Sequence, residues 1–389
     1  MAIMRWVILA VLMFGYGASQ MPRTSVSVVL PMVQADLGVT SEEFGRALSV
    51  FTIGMIAGCI LLTVVTALAG ARWGLTLGFA GAALAAVVSG AVANVAGLMA
   101  TRFALGFFTA ALIPAIVQSV GECFTRPLRP LAIGLILASY QAVAIITPFL
   151  VPFLAERVGW RPVVAATGVP TLVAAVLCLV FAIVVKGPPV QPVSGGLSAA
   201  GLVSAGTLAL GLGLAMPVVH LCTMWLPPYL AKGLSFSSSS KMGLCTTAGA
   251  LGGALLAGVI ACILTYVGVR PAKTRAALLT ACGCFLPLVA VVGLLKMPFA
   301  VVGLGFLVTA GYYGVITLLY WAVADTLPVR GIGIAVAVGS LMMIPGSWII
   351  GTLRAQVGFE AVFLLAGFLG AAAWLVVALP AWFIRQEAC

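Results

Sequence analysis

Acidic side chains are scarce in this chain. Eight Asp and Glu stand against nineteen Lys and Arg among 389 residues, and charged residues make up only 7%. A soluble domain carries about 25% charged residues, so a soluble fold is excluded: 63% of the chain is hydrophobic and its mean hydropathy is +1.26. The short alternating segments of a membrane barrel are also missing, which leaves an all-α, multi-span membrane protein. There is one histidine. No phosphate loop, metal-ligand cluster or nucleophile with a base is visible, so nothing supports an enzyme and no cofactor or metal is expected. The net charge of +11 does not point to nucleic acid, because the basic residues are scattered over short loops and form no block the size of a groove. Nine cysteines, Cys282 and Cys284 among them, mostly fall in apolar runs and read as small buried hydrophobes.

A membrane-crossing helix needs about 20 apolar residues. Spans are expected near 7–32, 44–69, 74–95, 97–121, 131–154 and 162–185, then near 200–230, 242–266, 276–295, 299–324, 331–353 and 360–384. The first is read as an uncleaved span, since Arg23 interrupts it and no small-residue cleavage site ends it. The Gly- and Pro-rich stretch Lys186 to Gly196 is the one plausible linker. The expected organisation is a six-helix bundle over 1–186, a cytoplasmic linker over 187–199 and a second six-helix bundle over 200–389.

The two halves repeat. Pro127-Leu-Arg-Pro-Leu-Ala-Ile-Gly134 parallels Pro328-Val-Arg-Gly-Ile-Gly-Ile-Ala335, and Val158-Gly-Trp-Arg-Pro-Val-Val164 parallels Val357-Gly-Phe-Glu-Ala-Val-Phe363. Parallel repeats of this kind meet around a cavity near the bilayer midplane. The excess of loop Lys and Arg on one side places both termini in the cytoplasm. The short loops suggest a bacterial inner membrane.

Two arginines, Arg23 and Arg102, lie inside apolar stretches that hold no acid of their own. A guanidinium at the bilayer centre costs about 2.5–3.5 kcal/mol on insertion scales. Either carbonyls, hydroxyls or the interface satisfy both, or at least one faces a watery cavity in which the substrate supplies the missing negative charge. The second reading implies a carrier of small organic anions. Further candidates for cavity lining are Gln20, Thr109, Tyr140, Gln141, Tyr312 and Tyr313, with Thr24, Thr223 and Tyr320 behind them. Each could equally be a helix–helix hydrogen bond. His220, between Pro217 and Trp225, is a packing residue or a titrating coupling group. Glycines at 206, 211 and 213, and at 249, 252 and 253, suggest close helix packing.

Twelve spans, a six-plus-six repeat and a central cationic pair resemble the major facilitator superfamily. The local motifs resemble its anion:cation symporter family, which includes hexuronate and galactonate transporters and the vesicular glutamate and sialin carriers. Arg102-Phe-Ala-Leu-Gly106 with Pro114 is similar to that family's fourth span. Phe124 to Arg129 with Ala132-Ile-Gly134 is similar to the loop that follows. Gly159-Trp160-Arg161, Trp225-Leu-Pro-Pro-Tyr-Leu230 and Asp325-Thr-Leu-Pro328 are similar to later motifs. The resemblance implies two pseudo-symmetric six-helix halves, alternating access, and Arg23 and Arg102 as binding or organising residues for an anion.

Departures from that pattern weaken proton coupling by a carboxylate. Pro22 stands where several relatives carry an acid, Thr109 where they carry a glutamate, and Phe51 and Met55 where tyrosines line their cavity. Ala71-Arg72-Trp73-Gly74 lacks the acid of the superfamily's loop motif. Exchange or uniport is therefore expected, in a protein acting as a monomer among membrane lipids. Alternatives are proton symport through His220, efflux of hydrophobic compounds, or a sensor without flux.

Overall fold

The computed structural model describes residues 2–38, 40–184, 199–226, 229–230, 239–295, 297–326, 329–341 and 343–383. It is helical throughout, with no strand among the described residues. The helices are α1 Ala2–Ala18, α2 Gln20–Val28, α3 Leu30–Leu37, α4 Ser41–Ala69, α5 Ala71–Ser89, α6 Val95–Thr109, α7 Leu112–Cys123, α8 Arg129–Val158, α9 Trp160–Ala166, α10 Gly168–Val184 and α11 Ala199–His220. Beyond them lie α12 Ser239–Tyr266, α13 Pro271–Gly283, α14 Val289–Val292, α15 Pro298–Thr326, α16 Val329–Leu341 and α17 Met343–Phe383. Among the described residues, eleven stretches are long and apolar enough to cross a membrane, from Ile3–Val28 to Gly358–Pro380. The remaining expected span, 331–353, is covered by α16 and the start of α17.

Several expected continuous spans are broken, and proline explains where. A proline has no N–H to give to the carbonyl four residues earlier. Pro22, Pro170 and Pro287 thereby abandon Ala18, Ala166 and Gly283, and these are the last residues of α1, α9 and α13. Pro114 abandons Ala110, the residue just past the end of α6. The first, fourth, sixth and ninth spans are thus each built from shorter helices. Irregular backbone at membrane depth persists only where protein buries it or water reaches it.

Contacts divide the chain into two compact units that are not the two sequence halves. Unit 1 comprises Met1–Cys123, Ala142–Gly196 and Pro328–Ala337; unit 2 comprises Phe124–Gln141, Leu197–Leu327 and Val338–Cys389. Small residues account for the exchanged segments. In unit 2, a Cβ on Gly134 would lie 2.6 Å from the Ala254 carbonyl oxygen, and one on Gly258 would lie 2.7 Å from that of Pro130. In unit 1, Ala337 packs with Cys59 and Ala110. The linker expected at 187–199 lies outside the described residues but for its last position.

Within unit 1, α4 packs on α6, and α5 on α6, α7 and α10. Gly54, Gly58 and Gly106 bring α4 and α6 to backbone contact: added Cβ atoms would meet the carbonyl oxygens of Phe103, Phe107 and Phe51. Within unit 2, α12 packs on α15, and α11 on α17. Of the expected glycine contacts, Gly249 and Gly253 face the Phe306 and Ala310 carbonyls and Gly211 meets Val377, whereas Gly206 and Gly252 face open space. Gly159 and Gly358, equivalent in the sequence repeat, both turn the chain at positive φ, 86° and 82°. A side chain at either position would be strained. Large apolar side chains such as Leu84, Phe149 and Val184 stand exposed, as lipid-facing positions do. Cys59, Cys178 and Cys222 are buried, while Cys284 is exposed.

Candidate functional site

The candidate residues fall into the two units. Gln20, Arg23, Arg102 and Thr109 belong to unit 1; Tyr140, Gln141, His220, Tyr312 and Tyr313 belong to unit 2.

In unit 1, the chain breaks at Ser19, and α2 then carries Gln20 and Arg23. Arg102 projects from α6 with 1% of its surface exposed. Its Nη1 donates to the Pro22 carbonyl at 3.1 Å and its Nη2 to Ser89 Oγ at 3.1 Å. Both acceptors are neutral. The Ser89 hydroxyl donates onward to the Ala85 carbonyl at 2.7 Å, and the Pro22 carbonyl also accepts from Ser25 Oγ at 3.2 Å. Arg102 Nε and Gln20 Oε1 are buried without a hydrogen bond from protein. Sequence reasoning left open whether an oxygen of the protein or a substrate meets Arg102; here a carbonyl and a hydroxyl do.

Arg23 is half-buried. Its guanidinium lies over the Phe51 ring, 5.0 Å from the centroid. Cations within about 6 Å of a ring face are attracted by its quadrupole. Phe51 offers that face and carries no hydroxyl. Thr109 donates to the Leu105 carbonyl at 2.7 Å, next to the break between α6 and α7. That hydroxyl serves its own helix.

In unit 2, Tyr312 is 2% exposed and meets Tyr313 edge-on, with centroids 5.1 Å apart. Gln141 is buried and Tyr140 half-buried. Half-buried His220 ends α11, and a π-helical turn, Leu221–Trp225, follows it. Thr223 Oγ1 in that turn donates to the Val219 carbonyl at 3.0 Å. π-Turns inside helices occur often at functional sites. Pro227 and Pro228 of the same motif lie outside the described residues.

Three motif fragments acquire partners that sequence reasoning missed. In unit 2, the Asp325 carboxylate accepts from Arg129 on one oxygen and from Arg275 at 3.0 Å on the other. Arg275 also lies over Trp321, 4.9 Å from the ring centroid. In unit 1, Asp36 accepts from Trp160 Nε1 at 3.0 Å and Arg161 Nε at 2.9 Å. The fragments were visible in sequence; their pairing over more than a hundred residues was not. Among the described residues there is no group of three His, Cys, Asp or Glu side chains able to hold a metal.

A family model described as Major Facilitator Superfamily matches residues 12–344. The hexuronate transporter of Escherichia coli (strain K12) is 24% identical over 186 residues, 46% of this chain and 41% of that protein. A puromycin resistance protein of Streptomyces alboniger is 30% identical over 159 residues, 40% of this chain and 31% of that protein. The matched stretches thus span less than half of these curated relatives. Among solved structures, a proton:xylose symporter bound to 6-bromo-6-deoxy-D-glucose superposes with a TM-score of 0.77 at 14% identity, covering 98% of this chain and 95% of that one. At that identity the likeness is one of fold. The family model covers most of the chain, and the helical architecture agrees with it: this multi-pass integral membrane protein belongs to the Major Facilitator Superfamily.

Proposed function

We propose that this protein is a secondary carrier of small organic anions, carboxylates such as sugar acids, working by exchange or uniport with alternating access. The observation that carries the reading is the arginine pair of unit 1. Arg102 is buried on neutral oxygens alone, and its bond to Pro22 sets it beside the backbone of Arg23. A guanidinium offers planar, bidentate hydrogen bonds that match a carboxylate. Two cations at membrane depth make an empty site positive, and a bound anion relieves that charge, which favours movement of the loaded carrier. Partial similarity to a hexuronate transporter supports the same substrate class. Gln20 and Thr109 in unit 1, and Tyr140, Gln141, His220, Tyr312 and Tyr313 in unit 2, are the proposed polar contacts. We place the protein in a bacterial inner membrane, as a monomer, with both termini cytoplasmic.

Similarity to a puromycin resistance protein favours a second reading, efflux of a hydrophobic compound. Counterflow in proteoliposomes separates the two. Purified carrier is preloaded with a panel of organic anions and assayed for labelled anion uptake, with and without a pH gradient, beside Arg23→Gln and Arg102→Gln. Uptake that requires internal anion, ignores the gradient and fails in the variants is the expected result. Uptake driven by the gradient and lost in His220→Gln would establish proton symport instead. Anion flux that is absent, or that survives both arginine variants, would overturn the anion site.

A further inference from the structure

We infer that Arg102 is a positioning residue and not itself a ligand of the anion: it pins the Pro22 carbonyl to the end of α5 and so fixes the backbone from which Arg23 reaches the substrate. The inference rests on the anion-carrier reading.

Two donors of the Arg102 fork are already committed, one to Pro22 and one to Ser89, and the residue is 1% exposed. The Ser89 hydroxyl gives its proton to Ala85, so a lone pair is what it presents to Arg102. That arrangement suits a guanidinium, which can only donate. Pro22 lies just after the break at Ser19 and has no N–H to give to the Ala18 carbonyl, so the helix ladder is one hydrogen bond short there. Arg23 is the following residue. It is half-buried, and its guanidinium rests over Phe51. Phe51 is in turn seated on α6, because Gly106 leaves no room for a Cβ against the Phe51 carbonyl oxygen. Two supports of Arg23, its backbone through Pro22 and its ring platform through Phe51, therefore lead to the same short stretch of α6, Arg102 to Gly106. A site holds its geometry only when the residues behind the contacting group are themselves fixed.

Ser89→Ala is the decisive variant, because Ser89 touches Arg102 without carrying charge. A hydrogen bond to a charged group is worth enough that its loss should raise the apparent KM for anion counterflow about threefold to tenfold, with maximal rate unchanged. Arg102→Lys, which keeps the charge but loses the fork, should do the same. The discriminating step is to repeat both in an Arg23→Lys background. If Arg102 acts through Arg23, the flexible lysine at position 23 is insensitive to the pin, and the effects shrink below about twofold; effects of independent ligands would multiply. Multiplying effects, or a Ser89→Ala carrier with unchanged KM, would overturn the inference.

Amide hydrogen exchange of ligand-free protein provides a readout that needs no substrate. Ser89→Ala should speed exchange in residues 20–26 and leave residues 5–15 unchanged. If the parent protein moves no organic anion, the functional reading falls and exchange alone decides: faster exchange keeps the pin, and unchanged exchange removes it.

Discussion

Two regions of this protein bury arginine, and they do so differently. In unit 2, Arg129 and Arg275 share the carboxylate of Asp325, with side-chain exposures of 17%, 7% and 10%. In unit 1, Arg102 is buried more deeply, at 1% exposure, on a carbonyl and a hydroxyl. Transfer of a charge from water is costly in both places. The unit 2 cluster offsets that cost with a charge of opposite sign, so it explains itself as structure. Arg102 has no such compensation, which is why its neighbourhood, and not the richer ionic cluster, is the place to look for a substrate. A count of ion pairs would have pointed the other way.

The sharpest way to test this contrast is to remove the carboxylate. Asp325→Asn leaves two mostly buried guanidinium groups facing a neutral amide. Breaking a buried pair by deleting one partner typically costs about 3–5 kcal/mol. Purified Asp325→Asn should melt well below the parent in detergent, and a melt that hardly moves would show that the cluster is solvated.

Arg102→Met should do the opposite: little to stability and much to transport. The Pro22 carbonyl keeps its bond from Ser25, and the Ser89 hydroxyl keeps its bond to Ala85, so no donor is left stranded. Replacing a buried charge by an apolar chain of similar volume is often neutral or better, so the melt should stay within about 1 kcal/mol of the parent while anion counterflow falls at least about tenfold. A loss of stability as large as that of Asp325→Asn would erase the distinction between the two regions.

The same contrast marks how far the sequence could be read. The spans were legible because lipid demands long apolar helices, and their ends fall close to the expected positions. Arg23 and Arg102 were legible because an arginine inside an apolar run is improbable without a reason. Their partners were not. Arg102 bonds a main-chain carbonyl eighty residues away, and a carbonyl has no letter in the sequence. The breaks at Ala18 and Ala110 had a signal in Pro22 and Pro114, four residues on. Reading each span as one rod concealed it. The exchange of 124–141 and 328–337 between units depends on small residues meeting across space, at Gly134 and Ala337 for example, and hydropathy does not record such meetings.

A smaller effect is expected at the clasp between Asp36 and Arg161. The pair is 44% and 36% exposed, so solvent screens most of its attraction. Asp36→Asn keeps an oxygen for the Trp160 indole N–H and loses only the ion pair, so a loss under about 1 kcal/mol is expected, diminishing with added salt. A larger loss would mean that this exposed pair behaves like the buried cluster of unit 2.

The smallest effect belongs to a carboxylate with no cation in its hydrogen bonds. Thr40 and Glu43 form a reciprocal cap at the start of α4: Glu43 N donates to Thr40 Oγ1 at 3.2 Å, and Glu43 Oε2 accepts from the Thr40 amide at 2.9 Å. The Thr40 backbone and hydroxyl bonds hold the Glu43 carboxyl below its ordinary value of 4.5. A depressed carboxyl contributes stability that is fully present above its unfolded pKa and fades as pH falls through the folded one. The melting difference between the parent and Glu43→Gln should therefore be constant near neutrality and close as pH drops below the ordinary carboxylate range. Glutamine accepts the same bonds without titrating, so the variant supplies the baseline. A gap that widened on acidification would mean that charge repulsion, and not capping, governs the start of α4.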